Sequence, residues 1–133
     1  MMNETVATIM VREVITVSPD DSLQKVKELL INNRIHHVPV VEKDGKLVGI
    51  VTTYDLFKLG VDHKDYPNTR VANVMTKILA TVESTDKVGT AAEVFMEHLF
   101  HALPVVEEGK LIGIVTSFDV LRYEYHKEYP KRY

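Results

Sequence analysis

The run Pro39-Val40-Val41-Glu42 is followed, after Lys43-Asp44, by Gly45-Lys46-Leu47-Val48-Gly49-Ile50-Val51-Thr52-Thr53-Tyr54-Asp55. It returns nearly unchanged as Pro104-Val105-Val106-Glu107 and, after Glu108, Gly109-Lys110-Leu111-Ile112-Gly113-Ile114-Val115-Thr116-Ser117-Phe118-Asp119. Outward from this core, residues 5–43 align with 70–108 at a shift of 65. With Asp44 as a one-residue insertion, 45–57 align with 109–121, and 20 of these 52 positions are identical. The chain is therefore an internal duplication. Two copies of a long period are not a solenoid. A unit of about 50 residues is near the lower limit for burying its own core, so the copies are expected to pack as one module.

Each copy reads as the same string of elements. Val14-Ile15-Thr16-Val17 is expected as a short strand, and Asp21 as the cap of a helix with Gln24 three residues on. Leu23, Val26, Leu29 and Leu30 recur at helical spacing, and Asn32-Asn33 ends that helix. Val38-Pro39-Val40-Val41 is wholly apolar, as in a strand covered on both faces. Pro39 cannot donate to a ladder and is expected at the strand's start or on an unpaired side. Lys43-Asp44-Gly45-Lys46 carries hairpin chemistry into Leu47–Val51, and residues 52–59 return to helix. The order is β-α-β-β-α, twice, an α/β (α+β) class. The boundaries are 5–60 for the first copy, 61–69 for a polar linker with a turn at Tyr66-Pro67-Asn68, 70–124 for the second copy and 125–133 for a tail. In the second copy's first helix, Val88, Ala91, Ala92, Val94, Phe95, Met96 and Leu99 cover most of the circumference. Such a helix is expected to be buried on two sides, by its own repeat and by the sister repeat or a second chain.

Composition limits the chemistry. The 133 residues hold 16 Lys plus Arg against 19 Asp plus Glu, with no Cys and a net charge of −3. Thiol catalysis, disulfides and Cys-ligated metals are excluded. The charge balance disfavours a nonspecific nucleic-acid binder, and no apolar run approaches the roughly 20 residues of a membrane span. The opening residues lack a secretory pattern, so a cytoplasmic protein is expected. No nucleophile-base-orienter set is visible, so no catalytic residue is assigned and no enzyme is expected. His98 and His101 are three apart but lack a third ligand, so no metal site is assigned.

Thr52 with Asp55, and Thr116 with Asp119, stand three apart at strand-to-helix junctions. This is capping-box spacing, worth about 1 kcal/mol per cap. The same junction offers backbone N–H groups and a helix dipole to an anion. Cap and ligand site are both open on chemistry alone.

The doubled pattern of Val-x-x-[Ile/Val]-Met before a Thr-Val strand, an apolar-Pro-Val-Val strand and Gly-Ile-Val-Thr-x-x-Asp resembles a tandem pair of cystathionine-β-synthase (CBS) domains over residues 5 to about 123. The resemblance implies two repeats packed about a pseudo-twofold axis, often paired into a homodimer. It implies an adenosine-containing ligand such as AMP, ADP, ATP or S-adenosylmethionine in a cleft between the repeats. Asp55 and Asp119 take the ribose positions, where a carboxylate accepts from both vicinal hydroxyls. Thr52, Thr116, His36, His37 and His101 take the phosphate side. Ile15, Ala80, Ile35 and Phe100 take the adenine side, against the other repeat. Some family sites carry Arg where this chain has His37 and Ala102, so the two pockets are expected to differ, with the one near His37 better suited to negative charge.

The leading expectation is a ligand-sensing regulatory module acting on an effector protein in trans, with no catalytic cofactor. A structural dimerisation module with degenerate pockets is a second reading. A third is a small nucleic-acid-binding protein using the aromatic and basic tail, where Glu124 and Glu128 weaken the case. A helix extension ending near Pro130 is the preferred reading of that tail.

Overall fold

A computed structural model describes residues 2–58, 60, 62–77 and 80–130. Leu23, Val26 and Leu30 form the buried stripe of α1 (Leu23–Asn33). The cap is Ser22 rather than Asp21: Ser22 has the extended backbone of an N-cap, and its hydroxyl accepts the Lys25 N–H at 3.2 Å. Asp21 turns the other way, accepting the Ser18 N–H at 2.7 Å and pairing with Lys25 at 3.2 Å. Asn33 donates to the Leu29 carbonyl, and Arg34 closes the helix in the left-handed conformation.

Strands β1 (His37–Val41) and β2 (Leu47–Thr52) form an antiparallel hairpin, followed directly by α2 (Thr53–Lys58). At the turn the Asp44 carboxylate accepts the Lys46 N–H at 3.0 Å, and Gly45 takes a φ of 90°. The second copy gives α3 (Val88–His98), β3 (Ala102–Glu107), β4 (Lys110–Thr116) and α4 (Ser117–Glu128).

The strand expected at Val14–Val17 shrinks to one parallel bridge, Val17 to Val40. Pro39 supplies the reason. It lies mid-strand opposite Ile50, and Ile50 spends its backbone bonds on Thr76 at 3.0 and 2.9 Å. The side of Pro39 that lacks a hydrogen therefore faces Val17. There the Val17 N–H reaches the Pro39 carbonyl and the Val41 N–H reaches the Val17 carbonyl. The next parallel rung would run from the Pro39 nitrogen to the Ile15 carbonyl, and proline has no hydrogen to make it. Pro104 stops the ladder at Val82 in the same way, short of Ala80.

The chain divides into two compact units. The middle unit starts at Ile15, runs to the junction before Ala80 and adds Gly109–Leu111; the terminal unit joins the segment up to Val14 to Ala80–Glu108 and the residues from Ile112 onward. These boundaries do not coincide with the sequence repeats. The segment opening the first copy, with a 3-10 turn at Val6–Thr8, buries Val6 and Met10 in the core that contains α3. The segment opening the second copy, with a 3-10 turn at Val71–Asn73, buries Val71 in the core that contains α1. Val11 bridges Ile114 in the terminal unit, as Thr76 bridges Ile50 in the middle one.

The linker folds into a 3-10 helix, His63–Asn68, capped by Asp62 and packed on α1 with Tyr66 buried. Helix α3 buries Val88, Ala91, Ala92 and Phe95 in the core of its own unit, while Met96 is 73 % and Leu99 80 % exposed in the single chain. The tail continues α4 to Glu128; Tyr123 packs at the core, whereas Tyr125 and Tyr129 are exposed. Among the described residues, no helix is long and apolar enough to cross a membrane.

Candidate functional site

Both strand-to-helix junctions form capping boxes. In the middle unit the Thr52 hydroxyl accepts the Asp55 N–H at 3.1 Å, and Asp55 Oδ2 accepts the Thr52 N–H at 2.9 Å. In the terminal unit Thr116 and Asp119 repeat both bonds at 3.1 and 2.9 Å. The hairpin and helix are continuous here, so i,i+3 geometry alone brings the hydroxyl and carboxylate together.

The first turns are less open to an anion than the spacing suggested. The Thr53 N–H donates to the His36 carbonyl at 2.9 Å, and the Ser117 N–H to the His101 carbonyl at 3.0 Å. With the Asp55 and Asp119 N–H groups taken by threonine, and the threonine N–H groups taken by aspartate, three of the four usual orphan donors are already used in each helix. What each threonine keeps is its own O–H, which can donate to a phosphate or ribose oxygen.

The histidines fall into place around these junctions. His37 opens β1 opposite Thr52, while His36 and His101 are exposed just before β1 and β3. Thr52, Asp55, His36 and His37 are thus assembled by one hairpin, and Thr116, Asp119 and His101 by the other. Of the residues expected on the adenine side, Ile15 is half-buried, Ile35 packs at the edge of the middle core and Ala80 at the edge of the terminal core. Phe100 is exposed and stacked on His98, with ring centroids 5.5 Å apart.

Two residues absent from the sequence reading touch the carboxylates. The Thr76 hydroxyl donates to Asp55 Oδ1 at 3.3 Å. Nothing local links residues 21 apart, and only the exchanged segment brings them together. At Asp119, Oδ1 is held by Arg122 Nη2 at 2.9 Å. Helical i,i+3 spacing could have identified that pair. The position of Thr76 corresponds to Val11, which has no hydroxyl, and that of Arg122 to Lys58, whose ammonium lies 5.6 Å over the Tyr54 ring.

A family model for the CBS domain matches residues 6–62 and again 71–126. Protein MJ1225 of Methanocaldococcus jannaschii is 32 % identical over 133 residues, covering 91 % of this chain. The chain spans about half the length of that relative, 47 %, and 25 % of a homoserine O-acetyltransferase of Methanococcus vannielii that is 28 % identical. Among solved structures, CBSX2 of Arabidopsis thaliana in complex with AMP is 31 % identical with a TM-score of 0.85, covering 94 % of this chain and 98 % of that one. The CBS domain pair of protein MJ0100, in complex with 5′-methylthioadenosine and S-adenosylmethionine, is 28 % identical with a TM-score of 0.81, covering 94 % and 98 %.

Proposed function

The chain belongs to the CBS-domain family, and from that premise we propose that it is a cytoplasmic regulatory module that binds an adenosine-containing ligand and signals to a partner protein in trans. The observation that carries this reading is the carboxylate at each junction: Oδ2 of Asp55 and of Asp119 accepts the threonine N–H, and Oδ1, met by the Thr76 hydroxyl and the Arg122 guanidinium respectively, is the oxygen a ribose hydroxyl would share or take over. AMP in one similar structure, and methylthioadenosine with S-adenosylmethionine in another, support the ligand class. All share the vicinal diol that a carboxylate recognises. Thr52, Thr116, His36, His37 and His101 serve the phosphate or its replacement. Ile15, Ile35, Ala80 and Phe100 serve the adenine, and Thr76 orients Asp55. Binding alters the chain only through its different affinity for two conformations, which is what a partner would read.

Isothermal titration of the chain with AMP, ADP, ATP, NAD and S-adenosylmethionine at millimolar concentration is the test. Heat and a raised melting temperature are expected from at least one, since ligand at about 100 times its Kd adds roughly 2.7 kcal/mol. Silence from all five overturns the reading.

A second reading, a homodimerising structural module, is favoured by exposed apolar side chains on the helices: Ile31, Tyr54 and 90 %-exposed Phe57 in the middle unit, and Met96, Leu99, Phe118 and Leu121 in the terminal unit. Patches of this kind mark protein contacts. A homodimer is compatible with ligand binding, and sedimentation equilibrium of the chain and of Phe57→Glu or Leu121→Glu tests it. A dimer whose melting temperature ignores every adenosine ligand favours the structural reading alone.

A further inference from the structure

The two candidate ribose carboxylates differ in what occupies their outer oxygen. At Asp55 that oxygen meets the Thr76 hydroxyl at 3.3 Å, a long neutral contact from a group that can rotate away. At Asp119 it meets the Arg122 guanidinium at 2.9 Å, and the Asp119 side chain is only 6 % exposed. Lys58, at the position corresponding to Arg122, makes no ion pair with Asp55 among the described residues and lies over the Tyr54 ring instead.

Resting on the adenosine reading above, we propose that Arg122 is a built-in competitor for the Asp119 site, so that the Asp55 site fills at lower ligand concentration and the Asp119 site fills only when the guanidinium is displaced. A diol needs two acceptor positions on the carboxylate. Oδ2 of Asp119 already accepts the Thr116 N–H and Oδ1 the Arg122 N–H, so a diol that spans the carboxylate meets the guanidinium at Oδ1. With only 6 % of the side chain exposed, the guanidinium takes part of the little room left at that carboxylate. The guanidinium has somewhere to go. It is 49 % exposed and lies 5.4 Å over the Phe118 ring, a cation–π seat that keeps it beside the site after it leaves the carboxylate. The gate is thus a local exchange of one charge-assisted hydrogen bond for those of the ligand. Two sites of unequal affinity let one chain respond over a wider concentration range than two equal sites would.

The probe is AMP, titrated calorimetrically into the full chain, into Asp55→Ala and into Asp55→Ala with Arg122→Gln. Two unequal steps are expected for the unchanged chain, with the tighter one lost in Asp55→Ala. Adding Arg122→Gln should tighten the remaining step about tenfold, the scale of a half-exposed ion pair to a buried carboxylate. Unchanged or weaker binding in the double variant overturns the competitor role while leaving adenosine binding intact. No AMP binding by the unchanged chain overturns both. A measurement without substitution guards against misfolding of the variants. In nitrogen-resolved NMR of the unchanged chain, the Arg122 guanidinium signal should move to the free-arginine position during the second step and not the first. A signal that stays paired at saturation also overturns the competitor role.

Discussion

Asp21 shows how far one residue's neighbours set its chemistry. The Ser18 backbone N–H, followed by the Lys25 ammonium, holds its carboxyl below the ordinary carboxylate value, and partial burial only partly opposes them. A group lowered in the folded chain is protonated more readily in the unfolded one. Its contribution is therefore complete above the unfolded value near pH 4 and is lost as pH falls through the lower folded value. Asp21→Asn should thus melt below the unchanged chain at neutral pH, with the gap closing in acid. Thermal denaturation between about pH 7 and pH 2.5 checks this, and a gap of constant size would contradict it. At this scale much was legible from sequence: both Thr-x-x-Asp pairs form the bonds their spacing demands. Asp21 was misjudged because Ser22, next to it, is an equally good cap, and chain spacing alone does not choose between adjacent acceptors.

At the scale of elements, the two hairpins are held against the exchanged segments by methionines laid on glycines. A Cβ on Gly49 would stand 2.6 Å from Met75 Sδ; one on Gly113 would stand 2.7 Å from Met10 Sδ and 3.0 Å from the Val11 carbonyl oxygen. The contacts at Gly49 are all with a flexible side chain, whereas Gly113 also faces backbone. Gly49→Ala should cost on the order of 1–2 kcal/mol, and adding Met75→Ala should recover part of it. Gly113→Ala should cost more and be rescued less by Met10→Ala. A double-mutant cycle in denaturant measures both, and equal rescue in the two units would contradict the assignment. Proline has a matching part at this scale. Pro39 and Pro104 are recognisable in sequence as residues unable to donate, but only the bonds of Ile50 with Thr76 and Pro39 with Val17, and of Pro104 with Val82, show which side of each strand is left bare. The outer side of α3 is a related case. Apolar residues around a helix show that something covers it, without showing that this chain does.

For the whole molecule, the consequential feature is that each copy's opening segment serves the unit built from the other copy. Val6 and Val71 are fully buried at corresponding positions, one in each core. Val6→Ala should cost about 2 kcal/mol and loosen α3, β3 and β4 first, although the residue is distant from them in sequence. Val71→Ala should loosen α1, β1 and β2. Native-state hydrogen exchange distinguishes the two, and a Val6→Ala chain that loses protection chiefly in α1 would contradict the exchange. The sequence by itself determined the duplication, the hairpins, the helix stripes and the two Thr-x-x-Asp junctions, because each depends on residues a few positions apart whose geometry the backbone sets locally. Only the tertiary structure decided which core receives each opening segment, and hence that Thr76 meets Asp55. The segments Val6-Ala7 to Met10 and Val71-Ala72 to Met75 present nearly the same apolar pattern, so either could fill either core on pattern alone. The choice is made by chain geometry and packing, which a linear pattern does not contain.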